Sequence, residues 1–121
     1  MIDDQSVMRA LIRDFLHSTM TGLEIAEAGD AARGMKLVLE REPRVVLMDI
    51  NLPDDNGIEL TARIKAARPA TQIIMVTNLT GSAYVEHSFI AGASGYVHKE
   101  KIFTDLLPLL TQALQAQGGR A

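Results

Sequence analysis

Val45-Val46-Leu47-Met48-Asp49-Ile50-Asn51-Leu52-Pro53-Asp54-Asp55-Asn56-Gly57 decides the fold. Four apolar residues run unbroken into Asp49, and a segment holding Pro53, Asn56 and Gly57 follows at once. A short apolar run bounded by turn formers reads as a buried strand. Asp49 then stands where the strand leaves the core, at its carboxyl end. Ligands of open parallel sheets bind at that edge, although an isolated aspartate there also serves to cap a helix or finish a turn.

The rest of the chain supplies the alternation that such a sheet needs. Upstream, Val7, Met8, Leu11, Ile12, Phe15 and Leu16 recur at helical spacing and predict an amphipathic helix over about 5–17. Leu23–Ala28 partly alternates and reads as a half-exposed strand. Asp30 is placed to cap a helix over about 31–41, with Pro43 beyond its end. Downstream, a helix is expected from Gly57 to Ala67, ended by Pro69. Ile73–Thr77 is a second apolar strand, ending on a hydroxyl.

Ser82 to Ala91 reads as a helix with Val85 and Phe89 toward the core, and Gly92 and Gly95 bracket a short strand, Tyr96-Val97-His98, that ends at Lys99. A last helix, capped by Thr104 or Asp105 and with Pro108 in its first turn, is expected to bury Leu106, Leu107, Leu110, Ala113 and Leu114. Residues 117–121 read as a flexible tail or the start of a linker. Strands alternating with helices over short loops make a parallel α/β sheet in one domain, residues 1–121, with the two all-apolar strands central.

Composition removes several classes of function. The 121 residues are enough to bury a core without staples. A net charge of -3 and a pI near 5.5 give no footprint for nucleic acid. Cysteine is absent, so disulfides and thiolate catalysis are excluded, which suits a cytoplasmic protein. The apolar runs fall far short of the roughly 20 residues that span a bilayer, and no signal-peptide pattern opens the chain.

The start of the chain is abrupt. If Asp3-Asp4 ends a strand as Asp49 does, only Met1 and Ile2 precede the acids, whereas a strand is usually about five residues. The expectation is a first strand truncated at its N-terminus, with an apolar run upstream in the natural protein.

Parallel strands bring their carboxyl ends to one edge, so Asp3-Asp4, Asp49, Thr77 and Lys99 can converge. Two carboxylates 4 Å apart repel by about 4 kcal/mol at an effective dielectric of 20, which demands cations. Lys99 is one, and a hard divalent cation such as Mg²⁺, which favours oxygen donors, is the natural second. Acids, metal, hydroxyl and ammonium around one carboxylate suit phosphoryl transfer with Asp49 as the nucleophile.

In Asp3-Asp4, Met48-Asp49-Ile50-Asn51-Leu52-Pro53 with Gly57, Val76-Thr77 and Gly92–Lys99, the sequence resembles the response regulator receiver domain of two-component signalling. The resemblance covers essentially the whole chain. It implies a flavodoxin-like, doubly wound parallel sheet of order 2-1-3-4-5 flanked by five helices. It implies that Asp49 accepts a phosphoryl group from a sensor histidine kinase or phosphotransfer protein. By the same resemblance Asp4, Asp49 and the backbone carbonyl of Asn51 bind Mg²⁺, and Asp3 does so through water. Thr77 and Lys99 meet the phosphoryl oxygens, and Tyr96 is the aromatic whose rotamer follows Thr77.

Such a domain is a switch that assists only its own phosphorylation and dephosphorylation. It leaves room for an effector domain beyond the C-terminus and for a homodimer, and it binds neither membrane nor nucleic acid directly. Glu100 follows Lys99 where many members have proline. Two rival readings are a Mg²⁺-dependent phosphohydrolase with an aspartyl nucleophile and an unphosphorylated docking module. The amide of Asn51, standing where such hydrolases carry a general acid, opposes the first, and the intact set Asp49, Thr77 and Lys99 opposes the second.

Overall fold

The structure is a computed structural model that describes residues 1–118. Its elements are α1 (Ser6–Thr19), α2 (Ala31–Arg41), β1 (Val45–Met48), α3 (Gly57–Ala67), β2 (Gln72–Thr77), α4 (Ser82–Ala91), β3 (Gly95–His98) and α5 (Ile102–Gly118). A single 3-10 turn, Lys99–Lys101, leads from β3 into α5. Gln117 and Gly118 therefore extend the last helix where a flexible tail was expected. Residues 119–121 of that expected tail lie outside the described residues.

The three strands pair in parallel in the order β1-β2-β3. Val46 lies opposite Ile73, and Met75 opposite Tyr96. Because successive side chains point to opposite faces, β1 and β2 build two cores at once. Val46, Met48, Ile73 and Met75 join α2 and α3, while Leu47, Ile74 and Val76 join α1 and α5. This explains their unbroken apolar sequence: both faces are covered.

The segment expected as a strand over 23–28 is not one. Only Ala28 bridges, to Ile2, and Ile2 in turn bridges to Met48. The lateral sequence is thus Ala28, Ile2, β1, β2, β3, which accords with the expected 2-1-3-4-5 order. The reason is the short run at Met1–Asp3, which offers residues 23–26 almost nothing to pair with. Arg9 and Arg13 on α1 instead hold this segment through ion pairs to Glu27 at 3.1 and 2.8 Å.

Helix ends follow local chemistry. The Asp30 side chain accepts from the Arg33 amide at 2.8 Å and Asn56 accepts from the Ile58 amide at 2.7 Å, two ordinary N-caps. The amphipathic α1 forms as expected, with Ile12 and Leu16 buried and Met8 and Phe15 packed beside them, while Val7 and Leu11 stay exposed. The reading of α4 needs correction. In α4 the buried residue is Ser88, and Phe89 is 47% exposed. Ser88 bonds its hydroxyl back to the Tyr84 carbonyl at 2.7 Å, so a small polar residue can take the inner position.

Neither Thr104 nor Asp105 caps α5, which begins at Ile102 directly from the 3-10 turn. Pro108 consequently lies inside the helix, on its exposed side. The predicted stripe holds, with Leu106, Leu110 and Ala113 buried and Leu107 and Leu114 packed against them.

Candidate functional site

Asp3, Asp49 and Thr77 follow the carboxyl ends of neighbouring sheet segments, and Lys99 follows β3. All four are buried at 5% exposure or less. Buried ionised groups persist only when paired and hydrogen-bonded. Here the Lys99 ammonium donates to Asp49 Oδ2 at 3.0 Å and to Gln5 Oε1 at 2.9 Å, and lies 2.8 Å from Asp3 Oδ2. Three oxygens therefore surround one ammonium. Burial works against the charge on Lys99, but its bonds to Asp3 and Asp49 outweigh this and hold its pKa above the ordinary lysine range. Burial also raises the pKa of Asp3, opposed by Lys99 and by the Gln5 amide, which donates to Asp3 Oδ1 at 2.9 Å.

Carboxylate oxygens of Asp3, Asp4 and Asp49 lie within 4.8 Å of one another. Asp4 is exposed at the mouth, while the other two line its floor. Lys99 satisfies one oxygen each of Asp3 and Asp49 and no donor among the described residues engages Asp49 Oδ1. Three hard anionic oxygens with one countercharge fit a small divalent cation. Asn51 follows in the exposed loop, tied by an isolated bridge to Asn56.

That loop is built more tightly than its polarity suggests. Asp54 and Asp55 read as solvated loop acids, yet Asp54 spans to α2, accepting from the amides of Ala31 and Ala32 at 2.8 and 3.0 Å. The two amide bonds hold its carboxyl below the usual range. Asp55 pairs with Arg63 and accepts from the Asn56 amide. Gly57 closes the loop, its amide donating to the Ile50 carbonyl at 2.7 Å.

Thr77 and Tyr96 meet through the backbone of Leu79. The Leu79 amide donates to Thr77 Oγ1 at 3.3 Å, and the Tyr96 hydroxyl donates to the Leu79 carbonyl at 2.8 Å. Burial, with Tyr84 and Asp49 nearby, raises the Tyr96 pKa and keeps it a donor. His98 is half-buried, with Nε2 3.1 Å from the Asn78 carbonyl.

Sequence reading missed Gln5. Its position directly after the two acids is the only signal it gave, and an uncharged amide stands out little there. No helix among the described residues is long and apolar enough to cross a membrane.

Residues 1–111 match the sequence profile of the response regulator receiver domain. Among curated proteins, the chain is 35% identical over 100 residues to the chemotaxis protein CheY of Halobacterium salinarum, covering 82% of this chain and 81% of that one. It is 34% identical over 100 residues to the DNA-binding transcriptional activator DevR/DosR of Mycobacterium tuberculosis, covering 83% of this chain and 46% of the relative. The chain thus spans about half the length of the transcriptional relatives it matches. Among solved structures, a CheY-like receiver domain protein from Methanospirillum hungatei superposes with a TM-score of 0.90 at 28% identity, over 99% of this chain and 94% of that one.

Proposed function

The chain belongs to the response regulator receiver domains of two-component systems, and from that premise we propose that it is a phosphorylation switch with Asp49 as phosphoacceptor. The observation that carries this is the buried Asp49 carboxylate, with Oδ2 fixed by Lys99 and Oδ1 free of any donor among the described residues. Oδ1 attacks the phosphorus of a phosphohistidine on a sensor kinase or phosphotransfer protein. A P–O bond to Asp49 forms, the P–N bond breaks, and the imidazole nitrogen leaves with the electron pair. The product is an acyl phosphate.

Asp4 and Asp49, with the Asn51 carbonyl and with Asp3 through water, would hold Mg²⁺. When bound, the ion offsets the negative charge that accumulates as the phosphoryl group arrives. Lys99 donates to a phosphoryl oxygen from the position it already holds beside Asp49. The Thr77 hydroxyl donates to another, which draws it from the Leu79 amide and loosens the loop that Tyr96 grips. The change reaches the surface of α4, β3 and α5, where Phe89 and Ile90 of α4 lie exposed.

Several relatives are DNA-binding regulators, which supports an effector domain, carried elsewhere in the natural protein, as the recipient. In this reading the chain turns over no substrate other than its own phosphoryl group. Incubation with Mg²⁺ and acetyl phosphate followed by intact-mass measurement tests the proposal. A stable gain of one phosphoryl group, absent in Asp49→Ala, is expected. Rapid turnover of phosphate esters would favour a hydrolase, and no reaction a docking module; either would overturn the switch.

A further inference from the structure

A lysine ammonium carries three N–H donors and no acceptor. Two donors of Lys99 serve carboxylates, with Asp49 Oδ2 at 3.0 Å and Asp3 Oδ2 at 2.8 Å. The third donates to Gln5 Oε1 at 2.9 Å. All three are engaged at rest. An arriving phosphoryl oxygen can be met by Lys99 only when one of these bonds is surrendered.

The three bonds are unequal. A hydrogen bond between two ions is about twice as strong as one between neutral groups, and Asp3 and Asp49 are buried, where an unpaired carboxylate is costly. Gln5 is exposed, so its amide oxygen returns to water with little loss. It follows Asp4, itself exposed at the mouth, so the bond that yields lies on the side from which a phosphodonor enters.

The needs of α1 do not explain where this side chain goes. Gln5 holds the N-cap position, which favours Asn, Asp or Ser, yet its side chain makes no capping bond. Its backbone amide donates to Asp3 Oδ1 at 2.9 Å, and its carbonyl accepts from the Arg9 amide at 3.0 Å. These main-chain bonds fix the residue beside the acids, and the side chain reaches a lysine 94 positions along the chain.

We propose that Gln5 is a positioning residue for phosphoryl transfer, its Oε1 reserving the Lys99 N–H that the phosphoryl oxygen takes. The proposal rests on the reading of Asp49 as phosphoacceptor. In the exchange the hydrogen bond from Nζ to Oε1 breaks and one from Nζ to a phosphoryl oxygen forms. No proton is transferred, and the covalent step at Asp49 is unaltered. The hold of residue 5 on Lys99 therefore sets part of the barrier: a weaker acceptor speeds phosphorylation and a stronger one slows it.

The test compares the unaltered chain with Gln5→Met, which keeps the side-chain length without a strong acceptor, and Gln5→Glu, which supplies a charged one. The side chain is exposed and caps nothing, so both variants should keep the parent urea midpoint. Calorimetry gives the Mg²⁺ affinity of each form, so that phosphorylation by acetyl phosphate is followed by mass at saturating Mg²⁺ and about pH 8, where a glutamate is ionised. Gln5→Met is expected to raise the rate by about threefold, and Gln5→Glu to lower it by about tenfold. The parent's Gln5 side-chain amide resonance should also move to its solvated position in step with phosphorylation. A residue that served structure alone would shift both variants in one direction together with their stability. Rates that move together, or do not move, overturn the proposal while leaving Asp49 as phosphoacceptor. A parent chain that takes up no phosphoryl group, or an Asp49→Ala chain that still does, overturns that reading and this proposal with it.

Discussion

A Cβ at Gly57 would stand 1.9 Å from the backbone carbonyl oxygen of Asp49. No side chain reaches that separation without moving backbone, and the backbone concerned carries the phosphoacceptor. The Gly57 amide is also committed to the Ile50 carbonyl, which fixes the turn from strand end to helix start. Gly57→Ala is expected to destabilise the chain by about 3 kcal/mol, the upper end of overpacking effects. Asp49 shifts with it, so urea unfolding and phosphorylation by acetyl phosphate should both report the change. A variant of undiminished stability that still phosphorylates would contradict the close approach.

Lys99 separates two buried carboxylates and shares its charge between them. Lys99→Met would leave Asp3 and Asp49 facing each other without a countercharge, a loss of about 3 kcal/mol in the absence of divalent cations. Mg²⁺ should restore part of it, because the same acid cluster can bind the ion in place of the ammonium. Urea midpoints with EDTA and with Mg²⁺ measure this. A stability loss indifferent to Mg²⁺ would remove the cluster as the seat of the metal.

Those two sites show which parts of the structure the sequence made legible. Asp49 and Thr77 each end an apolar run and Lys99 follows the short strand Tyr96-Val97-His98, and a parallel sheet brings these strand ends to one common edge. The helix start at Asp30 was readable because a cap is a local contact between one side chain and one amide, whereas Asn56 read only as a turn former and its cap on Ile58 emerged from the fold. What escaped depended on distant partners. Asp54 looks like any loop acid until α2 presents the amides of Ala31 and Ala32 to it. Gln5 has no local signature, since its role depends on Lys99, far along the chain. Residues 23–28 carry a strand-like alternation but form no strand, because a strand needs a neighbour and Met1–Asp3 offers one only at Ala28. Phe89 faces solvent since hydrophobicity alone does not say which face of a helix the sheet can reach.

Thr77 and Tyr96 are coupled through one peptide, the amide and carbonyl of Leu79. Tyr96→Phe removes the hydroxyl bond to that carbonyl, and Thr77→Val removes the acceptor for its amide. Each change should cost about 1 kcal/mol. Made together they should cost less than their sum, by about 0.5 kcal/mol, since the loop released by one no longer restrains the other. A double-mutant cycle of unfolding free energies reads the coupling. Strict additivity would mean that Leu79 does not link the two side chains in solution.

The buried N-terminus makes stability depend on pH in a direction opposite to that of a salt-bridged base. Burial lowers the Met1 ammonium most, Arg9 lowers it further, and Glu27 and Asp3 act in the opposite sense. With the folded value near 6 and the ordinary value at 8.0, the unfolded chain binds more protons throughout that interval. Stability therefore rises with pH from about 6 to 8 and is flat, for this group, on either side. At about 1.36 kcal/mol per pH unit the gain is at most about 2.7 kcal/mol. Acetylating the N-terminus removes the titrating group while keeping an N–H for the Ala26 carbonyl. Subtracting urea stabilities of the acetylated chain from those of the free chain at pH 5.5, 7 and 8.5 isolates the effect from every other titrating residue. The difference should shrink steadily toward pH 8.5, and a difference that stays constant across the series would mean that the amine is solvated rather than buried against Ala26.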